Sequence, residues 1–155
     1  MKKLLEKQFV FNAVLWLLAP FARRKAFTGF TLGALQQMAK LNLSLNRPKQ
    51  GKTPSELAQI WQELMPANGK EYFPIEQVDE ETAYTEIHLH CPLRGSGDTE
   101  ACYRMMQYDR SLMQATGGEL IVLESQANSG KSYCRLAIRP KGADTSDLRP
   151  AHQES

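Results

Sequence analysis

Apolar residues recur three or four apart over the first third of the chain, and later they alternate. Residues 2–18 are apolar on nearly every side and predict a helix ended by Pro20 that something else must bury. Residues 21–43 predict a second helix. Phe27, Phe30, Ala34, Met38, Leu41 and Leu45 run along it as one apolar stripe. Gly29 and Gly33, four apart, would let another helix cross closely. "NRPKQGK" reads as a polar linker. Thr53-Pro54-Ser55-Glu56 then starts a third helix, with Thr53 capping, Pro54 in the first turn and Glu56 closing a capping box. That helix is expected to stop near Met65, before Pro66.

The pattern changes after Pro66. A short strand is predicted near 72–78 and a firmer one over 82–91, joined by an acidic turn at Asp79 to Glu81. "RGSGD" is a loop whose Asp98 caps a helix from Thr99 to about Ala115, and Gly117-Gly118 ends it. "ELIVLES" and "KSYCRLAIRP" are two more strands around an "NSG" turn. The last fifteen residues are polar and without period, which predicts a tail. The expected fold is therefore α+β: N-terminal helices followed by a β-β-α-β-β antiparallel sheet packed on a helix. The expected divisions are a helical segment over 1–46, a linker over 47–52, an α+β domain over 53–140 and a tail over 141–155. All of them belong to one compact body.

Composition narrows the function. The chain has 155 residues, 42% hydrophobic and 23% charged, which is globular. A net charge of +2 gives no reason to expect nucleic acid. Arg23, Arg24 and Lys25, and again Arg47, Lys49 and Lys52, read as solvated clusters. Three cysteines make an odd number without disulfide-scaffold spacing, so reduced thiols in a cytoplasm are expected. The start has features of an export signal: lysines, an apolar run from Phe9 to Ala19, and "APFA". Glu6 and Lys7 press against that run and three basic residues follow it. The run is also shorter than the ~20 apolar residues of a membrane span. A buried or partner-facing helix is the preferred reading, with a homo-oligomer through the N-terminal helices in view and membrane association not expected.

Candidate chemistry gathers between residues 86 and 135. Alternation along the strand predicted over 82–91 puts Thr85, Ile87, Leu89 and Cys91 on the core side and Glu86, His88 and His90 on the other. On the following helix, Cys102, Met105, Met106, Asp109, Leu112 and Met113 form one stripe, in which Asp109 alone does not suit a core. A carboxylate there must be paired, hydrogen-bonded or at the edge of a cavity. Cys134 lies on the apolar side of the last strand, so Cys91, Asp109 and Cys134 are expected to share the space between helix and sheet. Ordinary burial is the commoner reason for a thiol to be there. Glu86, His88 and His90 are weighed as a metal face and set aside as a polar strand face. Cys91, Cys102 and Cys134 lack the paired spacing of a zinc site, and "SGK" lacks the rest of a P-loop. No metal and no cofactor are expected.

"HCPLRG", a helix carrying "YDR", a glycine pair, a strand and "GKSYCRLAIR" together resemble the family named for L-2-amino-thiazoline-4-carboxylic acid hydrolase. They are also similar to the small-molecule-binding 4-vinyl reductase domains. The likeness covers about residues 85–139. It implies hydrolytic opening of a small cyclic thioimidate, with Asp109 as base and Cys91 or Cys134 as nucleophile. Arg94 or Arg135 would hold the substrate carboxylate, and Met105 and His90 would complete the site. Two other readings stand beside it. One is a non-catalytic module that binds a small molecule among Met105, Met106, Leu112 and Met113. The other is a subunit that docks a partner through its first helix.

Overall fold

The computed structural model describes residues 2–66 and 68–153, with side chains from Lys7 onward. Helix α1 spans Lys2–Ala22 and runs through Pro20 instead of ending before it. In the last turn Pro20 forfeits a single ladder bond. Ala19 and Ala22 are held in the core, and Arg104 Nη1 donates to the Ala22 carbonyl at 2.7 Å, which offsets that loss. A 3-10 turn over Lys25–Phe27 leads into α2, Thr28–Asn46.

The apolar stripe read along α2 is real, but it faces outward. Phe27, Phe30, Leu41 and Leu45 are exposed, with Ala34 and Met38 half-buried. The inner face uses Thr31, Leu35 and Ala39, and the small residues among them let α2 lie close against its neighbours. Gly29 and Gly33 have open space where a Cβ would stand, so no close crossing occurs there.

Helix α3, Pro54–Leu64, starts at the expected capping box. The Glu56 N–H donates to Thr53 Oγ1 and the Thr53 N–H donates to Glu56 Oε2, both at 3.2 Å. Its buried face, Leu57, Ala58, Trp61 and Leu64, has helical spacing and packs on the sheet. A short turn, α4 (Gly69–Tyr72), precedes the hairpin of β1 (Ile75–Val78) and β2 (Ala83–Ile87). Asp79 Oδ1 accepts from the Glu81 and Thr82 N–H groups in the turn between them.

The helix expected over 99–115 is two helices, α5 (Thr99–Met105) and α6 (Gln107–Thr116), broken at Met106, where ψ is 4°. The predicted stripe survives the break, and all six of its residues are buried. Strand β3 (Gly118–Glu124), a turn of helix α7 (Gln126–Ser129) and β4 (Cys134–Pro140) complete the order.

The result is the expected α+β arrangement, with N-terminal helices ahead of a four-stranded antiparallel sheet in the order β1-β2-β4-β3. Ile87 lies opposite Cys134, Thr85 opposite Leu136, and Leu136 opposite Val122, so these side chains share the face that meets the helices. Helix α3 covers β2 and β4, α6 lies against β3, α2 packs along α6, and α1 packs against α5.

Residues 47–52, expected as a linker, are tied to the end of α6. The Gly51 N–H donates to the Thr116 carbonyl at 2.9 Å, and Gln50 Nε2 donates to the Ala115 carbonyl at 2.7 Å. Gly117 serves this junction in two ways. Its φ is +98°, and a Cβ would stand 2.8 Å from the Gly51 carbonyl oxygen. The polar segment after Pro140 is not a free tail. Asp147 pairs with the buried Arg139 at 2.6 Å, Ala151 is buried, and His152 lies 4.0 Å from the Tyr103 ring.

Candidate functional site

A cavity of about 70 Å³ lies between the end of the sheet, the α5–α6 break and α1. Phe11 and Leu15 of α1 roof it. Cys91, Met105, Asp109 and Cys134 contribute to its walls, so four of the seven residues singled out from the sequence meet there. His90 makes a fifth. Strand β2 stops at Ile87, so the alternation that separated His90 from Cys91 no longer applies, and both border the cavity. His90 stacks on Trp16 of α1 at 6.0 Å between ring centroids.

The two arginines are elsewhere. Arg135 is exposed on the opposite face of the sheet, beside the Tyr84 ring at 5.2 Å. Its odd position in β4, counted from the inward Cys134, puts it there. Arg94 is half-buried outside the cavity, and its Nε donates to Gln126 Oε1 at 2.8 Å. Glu86 and His88 are 2.7 Å apart on the sheet surface, while His90 turns away to Trp16. The strand positions weighed as a metal face therefore do not converge.

Asp109 is 7% exposed. The Trp61 indole Nε1–H, delivered by α3, donates to its Oδ1 at 2.9 Å. Among the described residues no other side chain hydrogen-bonds the carboxylate and no cation pairs with it. Its neighbour Arg110 points along the helix instead and donates to the Tyr103 carbonyl and to Gln107 Oε1. Burial lifts the Asp109 pKa from the ordinary 3.8 to about 6, against the lowering pull of Trp61 and of the Arg110 charge. Tyr108, next along α6, accepts from Asn42 Nδ2 at 2.6 Å, and burial raises its pKa to about 12.

The three thiols are all pushed away from the reactive form. Burial raises Cys91, partly offset by the Leu93 N–H and the Arg94 charge. Burial raises Cys102 to about 12, and it raises Cys134 further. At neutral pH these are protonated thiols, whereas the nucleophile of a cysteine enzyme is a thiolate.

Gln126 is the residue that the sequence did not announce. It is fully buried and joins the two cysteine segments. Its Oε1 accepts from the Cys91 N–H at 3.1 Å and from Arg94, its Nε2 donates to the Leu89 carbonyl at 2.7 Å, and its own N–H donates to Cys134 Sγ at 3.3 Å. The one local signal is Ser125, whose capping box with Asn128 starts α7 and fixes Gln126 in the first turn. Nothing in that motif says that the side chain turns inward.

A roomier hollow of about 180 Å³ opens at the far side of Cys102, between Tyr103, β3 and His152. Of the residues singled out for chemistry only Cys102 reaches it, so the smaller cavity is the better candidate. That cavity offers an apolar wall, one buried carboxyl group with a single side-chain hydrogen bond among the described residues, and a helical roof. No family model, no curated protein and no solved structure matches this chain.

Proposed function

We propose that this chain binds a small, mainly apolar molecule carrying a basic nitrogen, held in the cavity beneath α1 against Asp109. The observation that carries this reading is the carboxyl group of Asp109, buried with one side-chain hydrogen bond and, among the described residues, no cation paired with it. With a pKa near 6 it is mostly ionised at neutral pH, and an N–H donor or protonated amidine would supply the missing partner. The cavity is about half the size of an engineered one that admits benzene, roughly 150 Å³. Entry of a ring therefore displaces the α1 roof.

The family resemblance supports a hydrolytic extension of this reading, in which Asp109 deprotonates water for attack at the ring C=N carbon, the ring C–S bond of the adduct breaks, and the proton held by Asp109 passes to the departing sulfur. The raised thiols favour Asp109 over Cys91 or Cys134 as the working group. The acid substituent of the family's substrate lacks a partner here, because Arg94 and Arg135 both stand outside the cavity. An uncharged ring substituent suits this site better.

Titration with aminothiazoline and with its carboxylated analogue tests both parts. Aminothiazoline is expected to bind and to shift the Trp61 indole N–H resonance, and Asp109→Asn is expected to weaken it at least tenfold. Tighter binding of the carboxylated analogue, or binding indifferent to Asp109→Asn, would sink the reading. Release of a ring-opened thiol product would add catalysis, and bound ring recovered unchanged would limit the chain to binding.

A further inference from the structure

The outer faces of α1 and α2 carry the strongest unexplained feature of the molecule. On α1, Phe9, Val10, Trp16, Leu17 and Phe21 are exposed. At 100° per residue they fall within one arc of about 140°. The opposite side of the same helix carries Phe11 and Leu15, the cavity roof. On α2 and the turn that leads into it the exposed large apolar residues are Phe27, Phe30, Leu41 and Leu45, with Phe30 57% and Leu45 74% exposed. At the corner between the helices, Phe21 packs on Phe27 at 5.3 Å and on Phe30 at 5.5 Å, which forms a solvent-facing aromatic cluster. Apolar residues scattered singly are ordinary on a surface, but a row of five along one arc of α1 that ends in the Phe21, Phe27 and Phe30 cluster marks an interaction site.

Charge says what kind of partner fits. The first 55 residues hold ten Lys and Arg against one acidic residue, and the remaining hundred hold nine against sixteen. From Lys7 to Ser55 there is no Asp or Glu at all. Arg23, Arg24 and Lys25 are exposed and follow directly on Phe21, at the aromatic corner. Asp98 answers Arg23 at 3.5 Å, but Arg24 and Lys25 have no ion pair among the described residues, so two copies meeting through this surface would bring those like charges together. Aromatic and aliphatic residues fringed by Lys and Arg are instead the composition of a helix lying in the headgroup region of an anionic bilayer.

We propose that the outer face of α1 and α2 is a docking surface for an anionic lipid bilayer. The chain lies on the membrane and does not span it. No helix among the described residues is long and apolar enough to cross a membrane. The proposal departs from the expectation drawn from the sequence, and it rests on the exposure of faces that a buried or paired helix would have covered.

Trp16 is the natural reporter, because the chain has two tryptophans and Trp61 is fully buried. The full chain is mixed with vesicles of phosphatidylcholine and phosphatidylserine in equal parts, and with vesicles of phosphatidylcholine alone. Binding and a blue shift of Trp16 emission are expected with the first and not the second, and both are expected to fade as salt is added. Arg24→Gln with Lys25→Gln is expected to weaken binding on the order of thirtyfold, taking about 1 kcal/mol for each basic residue at the surface. Phe30→Ser should weaken it too, with the melting temperature unchanged because the side chain is outside the core. Absence of vesicle binding, or binding that ignores both phosphatidylserine and the charge variant, overturns the proposal. So does a dimer in sedimentation equilibrium that Phe30→Ser dissolves, since the face would then belong to a second copy.

Discussion

Asp109 shows how one residue can be conspicuous in sequence and still depend on its surroundings for its properties. It breaks an apolar stripe, which predicts burial with a partner. Trp61, forty-eight positions earlier in the chain, is that partner. The pKa of about 6 exceeds the ordinary 3.8, so the fold prefers the protonated form. The stability this gives is fully present below about pH 3.8 and is lost as pH rises through 6, a change of about 3 kcal/mol. Asp109→Asn cannot ionise and keeps an oxygen for Trp61. Urea unfolding should therefore show the variant more stable than the native chain above pH 6, with the advantage gone below about pH 4. A native chain whose stability is flat across that range would contradict the buried carboxylate. A bound cationic ligand is expected to erase the difference, because it stabilises the ionised form.

Elements set the site by where they stop. β2 ends at Ile87, short of the Cys91 that period-two spacing suggested, and the segment from His88 to Leu93 is shaped by Gln126 instead. Gln126→Ala would leave the Cys91 N–H and the Leu89 carbonyl without their partner in a dry region. Each such group costs about 1–3 kcal/mol, so a loss of about 2–6 kcal/mol is expected in chemical denaturation. Cys91 should then alkylate faster than it does in the native chain, because Gln126 Oε1 no longer holds its N–H. A variant as stable as the native chain would mean that the loop holds itself. The cap of α3 was by contrast plain in sequence, because Thr53 and Glu56 satisfy each other locally.

At the scale of the whole molecule, α1 divides two environments. One side roofs the cavity with Phe11 and Leu15, and the other presents Phe9 and Leu17 to the outside. Leu15 is half-buried, so Leu15→Ala should cost less than the 2–5 kcal/mol of a fully buried leucine. It should also speed ligand entry and release, which stopped-flow mixing with aminothiazoline would record. Unchanged rates would mean that ligand enters by another route. The net charge of +2 conceals a separation into a basic, mostly helical first third and an acidic remainder. Only the position of α1 and α2 on the outside turns that separation into a surface.

The sequence by itself determined the class of the fold, because the change from helical to alternating periodicity depends on neighbours a few residues apart. It also determined the capping box of α3, the α6–β3 glycine junction and the oddity of Asp109, since each is a local conflict or a local agreement. What only the tertiary structure decided are matters of distance along the chain: Trp61 against Asp109, Gln126 between two cysteine segments, and Arg135 turned away from the cavity. The same limit explains the stripe on α2. Periodicity shows that a helix has an apolar face, but a helix with apolar residues on two sides does not announce which one the core will take. That choice fell to Thr31, Leu35 and Ala39, where the small Thr31 and Ala39 let the helix pack closely around Leu35, and it left Phe30, Leu41 and Leu45 for the outside.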